Sequence, residues 1–334
     1  MVRFLVFADL HYKKGMYAAG VEHLQVILGR AAAEQVDFVI HVGDLCNDYV
    51  HSPELTDAYL HNPWGLPVYG VYGNHELESH GNTMETVTPL LCNREVTFGT
   101  EGVGYWHTDI GAYRIIGLDT NYSYNEERQA WEHNLPASWG APQGNIRSGS
   151  LGPQQLRWLT QVLAEAAETG KTVLVFSHDG LSGRWGSTPD AEAVRELFRQ
   201  YPGTVRLSVN GHLHTDHFAM IDNVAYFDVN AVQNGHWAEM PTHHYGDTHT
   251  YLFTDYDEAG HRLDTRPVAL NTLSQGQNTW FFETPLSAVV TVEDDGTVTV
   301  AGSQTRWMHG VVPLRAPEGA KPAIPDRRVR PDVR

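Results

Sequence analysis

Cysteine is nearly absent: Cys46 and Cys92 are the only two in 334 residues, and they lack CxxC spacing. That excludes a disulfide framework and a thiolate zinc site, and it fits a reducing compartment. Long apolar runs are missing as well. No stretch reaches the ~18 consecutive apolar residues that a membrane span needs. The opening MVRFLVFADLHY has one early Arg and a short apolar run that leads straight into acidic and histidine residues, too short for a signal segment. A cytoplasmic protein without a membrane span is expected. Basic residues are scarce: 23 Lys and Arg stand against 40 Asp and Glu, for a net charge of −17. Such a chain is poorly suited to holding a nucleic acid polymer by phosphate neutralisation, so a small-molecule substrate fits better. Familiar site motifs are also absent. GLSGRWG and GSLG are glycine-rich but lack the strand and helix that flank a phosphate-cradling loop, and there is no GxSxG elbow for a serine nucleophile. Nothing in the sequence sets the oligomeric state.

What the chain does have is histidine, 19 residues of it, the commonest metal ligand and proton shuttle. It also has alternating strand and helix patterns. RFLVFAD (3–9) is a continuous apolar run, the pattern of a strand buried on both faces. Over 17–35, Val21, Leu24, Ile27, Leu28 and Ala31 recur at helical spacing. DFVIHVGD (37–44) and PVYGVYGN (67–74) then repeat the strand pattern. This βαβ order predicts an α/β fold whose strand C-termini line the site.

Segments 103–111 and 112–120 predict a hairpin around Gly111, and 121–150 reads as a long loop. Residues 151–170 predict a helix opened by Pro153 and closed by Gly170, followed by a strand at 171–178, a helix at 189–201 and a strand at 204–214. Beyond 217 the pattern is purely β, and LSAVVTVEDDGTVTVAG carries its own turn. From 316 the chain is rich in Pro and Arg, which predicts a flexible tail or an arm lying on a partner. The expected division is a main domain over 1–255, a β extension packed on it over 256–315, and a tail over 316–334.

Metal-ligand residue types stand at the predicted strand ends: Asp9-x-His11, Gly43-Asp44, Gly73-Asn74-His75-Glu76, His178 and Gly211-His212-Leu213-His214. Each motif alone is commonplace, but five in order, each closing a strand, are not. The set resembles the signature of the calcineurin-like metallophosphoesterase family, over roughly residues 1–215. The resemblance implies a four-layer α/β/β/α sandwich of two mixed sheets flanked by helices, here with additional C-terminal strands. It also implies two divalent transition-metal ions, one held by Asp9, His11, Asp44 and His214, the other by Asp44, Asn74, His178 and His212. Mixed imidazole and carboxylate donors suit Mn, Fe or Zn better than Mg or Ca, and the choice among them stays open. In such a centre Asp44 is the bridge, and a hydroxide held between the ions attacks phosphorus.

Within that scheme Asn74 is a neutral ligand. Asp9 and Asp44 cancel only part of the charge of two divalent ions, and an amide at position 74 cancels none, leaving a surplus to attract a phosphate dianion. His75, beside a ligand without being one, is the expected proton donor to the leaving alcohol. Glu76 or Asp48 is its expected orienting partner. Residues expected to line the substrate are Asn121 and Tyr122 after the strand ending at LDT, Arg184 and Trp185 after His178, and Asn230 and His236 beyond the last motif. The function expected is hydrolysis of a small phosphate ester, a phosphodiester ahead of a monoester. A silent scaffold and a redox di-iron enzyme on the same fold are the alternatives.

Overall fold

A computed structural model describes residues 1–12, 20–46, 52–76, 83–100, 103–133, 149–184, 186–236, 250–256, 262–269, 279–307, 319 and 321–331; for 234–236, 250–256, 262–269 and 279–281 only the backbone is considered. In chain order, β1 (Val2–Phe7), α1 (Gly20–Ala33), β2 (Phe38–His41), α2 (Pro53–Leu60), β3 (Val68–Gly70) and α3 (Met84–Val87) come first. Next are β4 (Thr97–Phe98), β5 (Trp106–Ile110), β6 (Tyr113–Gly117), β7 (Tyr122–Asn125), β8 (Ala130–His133), α4 (Gly152–Glu168), β9 (Thr172–Phe176), α5 (Ala191–Gln200) and β10 (Val205–Asn210). The rest is β: β11 (His217–Ile221), β12 (Val224–Asp228), β13 (Asn234–His236), β14 (Thr250–Tyr256), β15 (Arg262–Ala269), β16 (Thr279–Phe281), β17 (Ala288–Val292), β18 (Val298–Ala301), β19 (Ser303–Gln304), β20 (Ala323–Ile324) and β21 (Arg327–Val329).

Two large mixed sheets result. The first runs β21-β18-β17-β1-β2-β3 and the second β11-β12-β10-β9-β6-β5-β4. Side-chain alternation decides the layering. Phe4, Val6, Phe38 and Ile40 of the first sheet meet Leu174, Phe176, Leu207 and Val209 of the second in a shared core. Leu5 and Phe7 point the other way, onto Leu24 and Leu28 of α1 and Leu55 and Tyr59 of α2. On the far side, Val173 and Val175 pack against Leu159 and Leu163 of α4 and Val194 and Phe198 of α5. The four-layer sandwich follows from these three apolar interfaces. Register then fixes the site: Phe7 pairs with His41 and His41 with Gly70 in parallel. The residues after β1, β2 and β3 therefore leave the sheet side by side. No described helix is long and apolar enough to cross a membrane.

Two expectations differ from what is observed. The loop expected at 121–150 contains the antiparallel hairpin β7–β8. In addition, residues 323–329 of the expected flexible tail are paired in strands. β20 pairs with β19, and β21 is the outer strand of the first sheet beside β18, which joins it through β17 to β1. Proline is compatible with this because an edge strand needs hydrogen bonds on one side only. What ties the strand down is a charge rather than a greasy face. Arg327 grips both carboxylate oxygens of Asp216, with Nη1 to Oδ1 at 2.9 Å, and its guanidinium lies 5.5 and 5.8 Å from the rings of Phe218 and Phe227. Arg327→Ala is expected to cost about 2–3 kcal/mol, because it strands a mostly buried carboxylate and removes a stacked cation. The urea midpoint of the variant checks this, and an unchanged midpoint would show the arm to be idle.

Candidate metal centre

Each signature motif begins where a parallel strand runs out, and there the backbone makes an unusual turn. Asp9, His11, Asp44, His212 and His214 all have positive φ, at 54°, 50°, 52°, 71° and 52°. For residues with a Cβ this conformation is strained by about 1–3 kcal/mol each, and it persists only where surrounding structure enforces it. The motif glycines make room for the side chains so directed. A Cβ on Gly43 would lie 2.3 Å from His178 Nδ1, and one on Gly73 would lie 2.1 Å from Asp44 Oδ1.

The result is a buried convergence of donor atoms. His11 Nε2 and His214 Nε2 are 3.0 Å apart, and His214 Nε2 is 3.3 Å from Asp9 Oδ1. His178 Nε2 lies 3.1 Å from Asn74 Oδ1, 3.2 Å from His212 Nδ1 and 3.2 Å from Asp44 Oδ2. Asp44 Oδ2 is also 3.5 Å from His11 Nε2 and 3.8 Å from His75 Nε2. Both carboxylates are buried. Among the described residues, Asp9–His11–His214, Asp9–Asp44–His178 and His11–Asp44–His75 each bring their donor atoms within 4.8 Å of one another.

Electrostatics explains why this cluster fits a cation. Burial raises the Asp9 carboxyl, with Asp44 adding to the effect against the pull of His178. Burial lowers the His11 imidazole to about 3, although Asp44 opposes that. His178 is penalised by burial too, yet the Asp44 carboxylate beside it holds it well above the usual imidazole range. Two imidazole nitrogens 3.0 Å apart need a shared proton or a metal between them, since lone pairs repel and two N–H groups clash. The outer ring atom of His178 is already committed. His178 Nδ1 is 2.8 Å from the Val42 carbonyl, and His212 Nε2 is 3.6 Å from Asp179 Oδ1. The His178 contact fixes the tautomer that leaves its inner nitrogen as a lone pair. The residues present therefore fit metal ions.

The calcineurin-like phosphoesterase family model matches residues 2–216, the span that carries all of these motifs. The chain belongs to the calcineurin-like phosphoesterase family. It is similar to sphingomyelinase phosphodiesterase C of Dictyostelium discoideum, 25% identical over 220 residues, 56% of this chain and 45% of that one. It is also similar to a manganese-dependent ADP-ribose/CDP-alcohol diphosphatase of Arabidopsis thaliana, 24% identical over 210 residues, 53% of this chain and 64% of that one. The chain thus spans less than two-thirds of the length of these relatives. In fold it is similar to the crystal structure of a dimetal phosphatase from Danio rerio, with a TM-score of 0.60 and 15% identity over 99% of both chains.

Against the family's signature, the residues fall into place unevenly. Asp9, His11, Asp44, Asn74, His178, His212 and His214 come together as described. His75 borders them: its backbone N–H donates to Asp44 Oδ1 at 2.9 Å, and its ring stands edge-on to His11 at 4.6 Å. Glu76 is not placed to orient His75. It is fully buried and accepts backbone N–H groups from Asp44 at 3.0 Å, Leu45 at 2.6 Å and Gly73, so it ties the β2 turn to the β3 turn. Asp48 lies outside the described residues.

Of the expected substrate residues, Asn121 is buried and gives both its backbone N–H and its Nδ2 to Asp119 Oδ1 at 3.0 Å. Tyr122 starts the β7–β8 hairpin. Arg184 has Nη1 3.5 Å from Asp228 Oδ2, and Asn230 Nδ2 donates to the Ala323 carbonyl at 3.4 Å. Trp185 and the side chain of His236 lie outside the described residues. Asp179 was missed by sequence reasoning. It follows His178 directly, is buried, receives the Thr120 hydroxyl and backs His212. A carboxylate adjoining a motif histidine was the available signal.

Burial, and then the charge of Asp44, push the Glu76 carboxyl up to about 8 against its N–H donors and His178. Yet with both oxygens accepting N–H groups, the carboxylate is the species that fits, and cations in the adjoining cluster would favour it. Glu76→Gln puts an amide NH₂ against these donors. It is expected to lower metal affinity by about tenfold or more, the equivalent of one lost charged contact. Metal retained after dialysis, read by elemental analysis, tests this; wild-type retention would reduce Glu76 to filling space.

Proposed function

We propose that this chain is a metal-dependent phosphoric ester hydrolase that cleaves phosphodiesters of small organic or nucleotide alcohols. The observation that carries the reading is the position of Asp44, whose Oδ2 lies within 3.2, 3.5 and 3.8 Å of ring nitrogens of His178, His11 and His75. One carboxylate therefore faces both ligand groups and the proton donor. Asp9, His11, Asp44 and His214 would hold one ion, and Asp44, Asn74, His178 and His212 the other. Ions bound there withdraw charge from phosphate oxygens and lower the pKa of water.

The chain's own residues do the rest. Asn74, neutral, leaves the site with a positive surplus that draws in the phosphate. Water adds to phosphorus as the bond to the leaving oxygen breaks, one of its protons passing to solvent, and protonated His75 passes its Nε2 proton to the leaving oxygen. The names of the relatives, a phosphodiesterase and a diphosphatase, support substrates whose phosphorus bears two substituents. The manganese-dependent relative supports manganese among Mn, Fe and Zn.

The test is hydrolysis of an ester panel by protein reconstituted separately with each of these metals. It includes bis-p-nitrophenyl phosphate, p-nitrophenyl phosphate, cyclic nucleotides and phospholipid headgroup esters. Two metal ions per chain and faster diester than monoester cleavage are expected; no turnover on any ester by metal-loaded protein would end the reading. His75→Ala should keep both metals. Its kcat on esters with poor leaving groups should fall by about 10²–10⁴, with a much smaller loss on p-nitrophenyl esters. Equal losses on both would remove His75 from the proton-donor role.

A further inference from the structure

The β7–β8 hairpin places a second histidine–carboxylate pair next to the metal motifs. His133 Nε2 lies 2.9 Å from Asp119 Oδ2. Asp119 is fully buried, and its other oxygen accepts the two Asn121 donors, so the carboxylate cannot swing away. With its Nε2–H given to Asp119, neutral His133 has Nδ1 as a lone-pair acceptor. The side chain is only 10% exposed, and Nδ1 is buried with no hydrogen-bond partner among the described residues. A buried acceptor left unpaired is costly, which makes it an unusual thing for a fold to keep without a use.

Two lines of contact run from this pair to the residues of the cluster. The His133 ring stands 6.0 Å from that of Tyr72, two residues before Asn74. From the other side, Thr120, next to Asp119, donates to Asp179, whose Oδ1 is 3.6 Å from His212 Nε2. The hairpin register pairs Tyr122 with His133 and Tyr124 with Trp131, and residues two apart on a strand share a face. One face of the hairpin is therefore an aromatic ramp. At its outer end are Tyr124 and Trp131, 40% and 42% exposed with ring centroids 5.8 Å apart. At its inner end the Tyr122 ring stands edge-on to His133 at 5.0 Å.

We propose that His133, oriented by Asp119, is a specificity-determining residue that accepts a hydrogen bond from a hydroxyl of the leaving alcohol, so that the site selects polyhydroxylated leaving groups such as glycerol or a sugar. The aromatic ramp supplies a face for the carbon skeleton of such a group. The inference rests on the phosphoesterase reading above and adds the class of leaving group to it.

The test compares two ligands that differ only in hydroxyls, glycerophosphocholine and propylphosphocholine. Each is measured for binding by calorimetry and for hydrolysis, on metal-loaded wild type, H133F and H133Q. Wild type should favour the glycerol ester by about tenfold, as one hydrogen bond allows. H133F, which keeps a ring but no acceptor, should abolish that preference, and H133Q should restore part of it. A preference unchanged in H133F overturns the proposal, as does an equal loss on both ligands, which would mark a structural role. Failure of wild type to cleave bis-p-nitrophenyl phosphate would count against the phosphoesterase reading alone, because the binding ratio remains readable.

Discussion

The structure turns on one unfavourable act, the burial of Asp9 and Asp44 side by side. Burial raises Asp9, and neighbouring imidazoles hold Asp44 well below the carboxylate range against the same penalty. Among the described residues no Lys or Arg forms an ion pair with either. Left alone, such a cluster would relax by taking up protons or opening to water. It is held closed by the two sheets, whose shared core fixes the strands from which these side chains emerge, and by turns that hold five of the clustered residues at positive φ. What makes the cluster complementary to cations is the convergence of buried carboxylates and imidazole nitrogens, with no Lys or Arg among the described residues paired to the carboxylates.

Much of this was legible in the sequence because it depended on local pattern. Continuous apolar runs such as RFLVF and TVLVF mark strands covered on both faces, and the metal-ligand residue types stand immediately after them. The motif glycines were legible as punctuation, but their physical reason was not: the space they leave is filled by His178 and Asp44, residues far away in the chain. Glu76 was illegible for the same reason. An acidic residue next to the signature histidine reads as solvated or as an orienting partner, and only the crossing of two turns shows that it gathers three backbone N–H groups.

The second class of misreading concerns strands whose partners are not their sequence neighbours. YSYN and AWEH are mostly polar outward-facing segments, so nothing in their periodicity competes with a loop assignment. Their pairing depends on a turn and on a histidine that reaches a buried carboxylate. β21 is similar: its Pro- and Arg-rich sequence lacks an apolar face, but an edge position asks for little burial, and Arg327 finds Asp216 two residues beyond a metal-motif histidine. In both places a single polar contact between side chains apart in the sequence substitutes for the hydrophobic signal that sequence reading relies on.

These contacts also divide the labour of the site. The cluster sits on the ends of parallel strands pinned between two sheets, where displacement of one donor would disturb the core. The hairpin and the C-terminal arm, by contrast, are attached by a few polar links, the one through Asp119 and the other through Asp216. A rigid centre with a lightly tethered border can keep one chemistry, the polarisation of a phosphate, while the border changes to suit different alcohols. The neutral side chain of Asn74 belongs to the first part and the Asp119–His133 pair to the second. On the proposed reading, altering the former changes how strongly any phosphate is held, whereas altering the latter changes which ester is preferred.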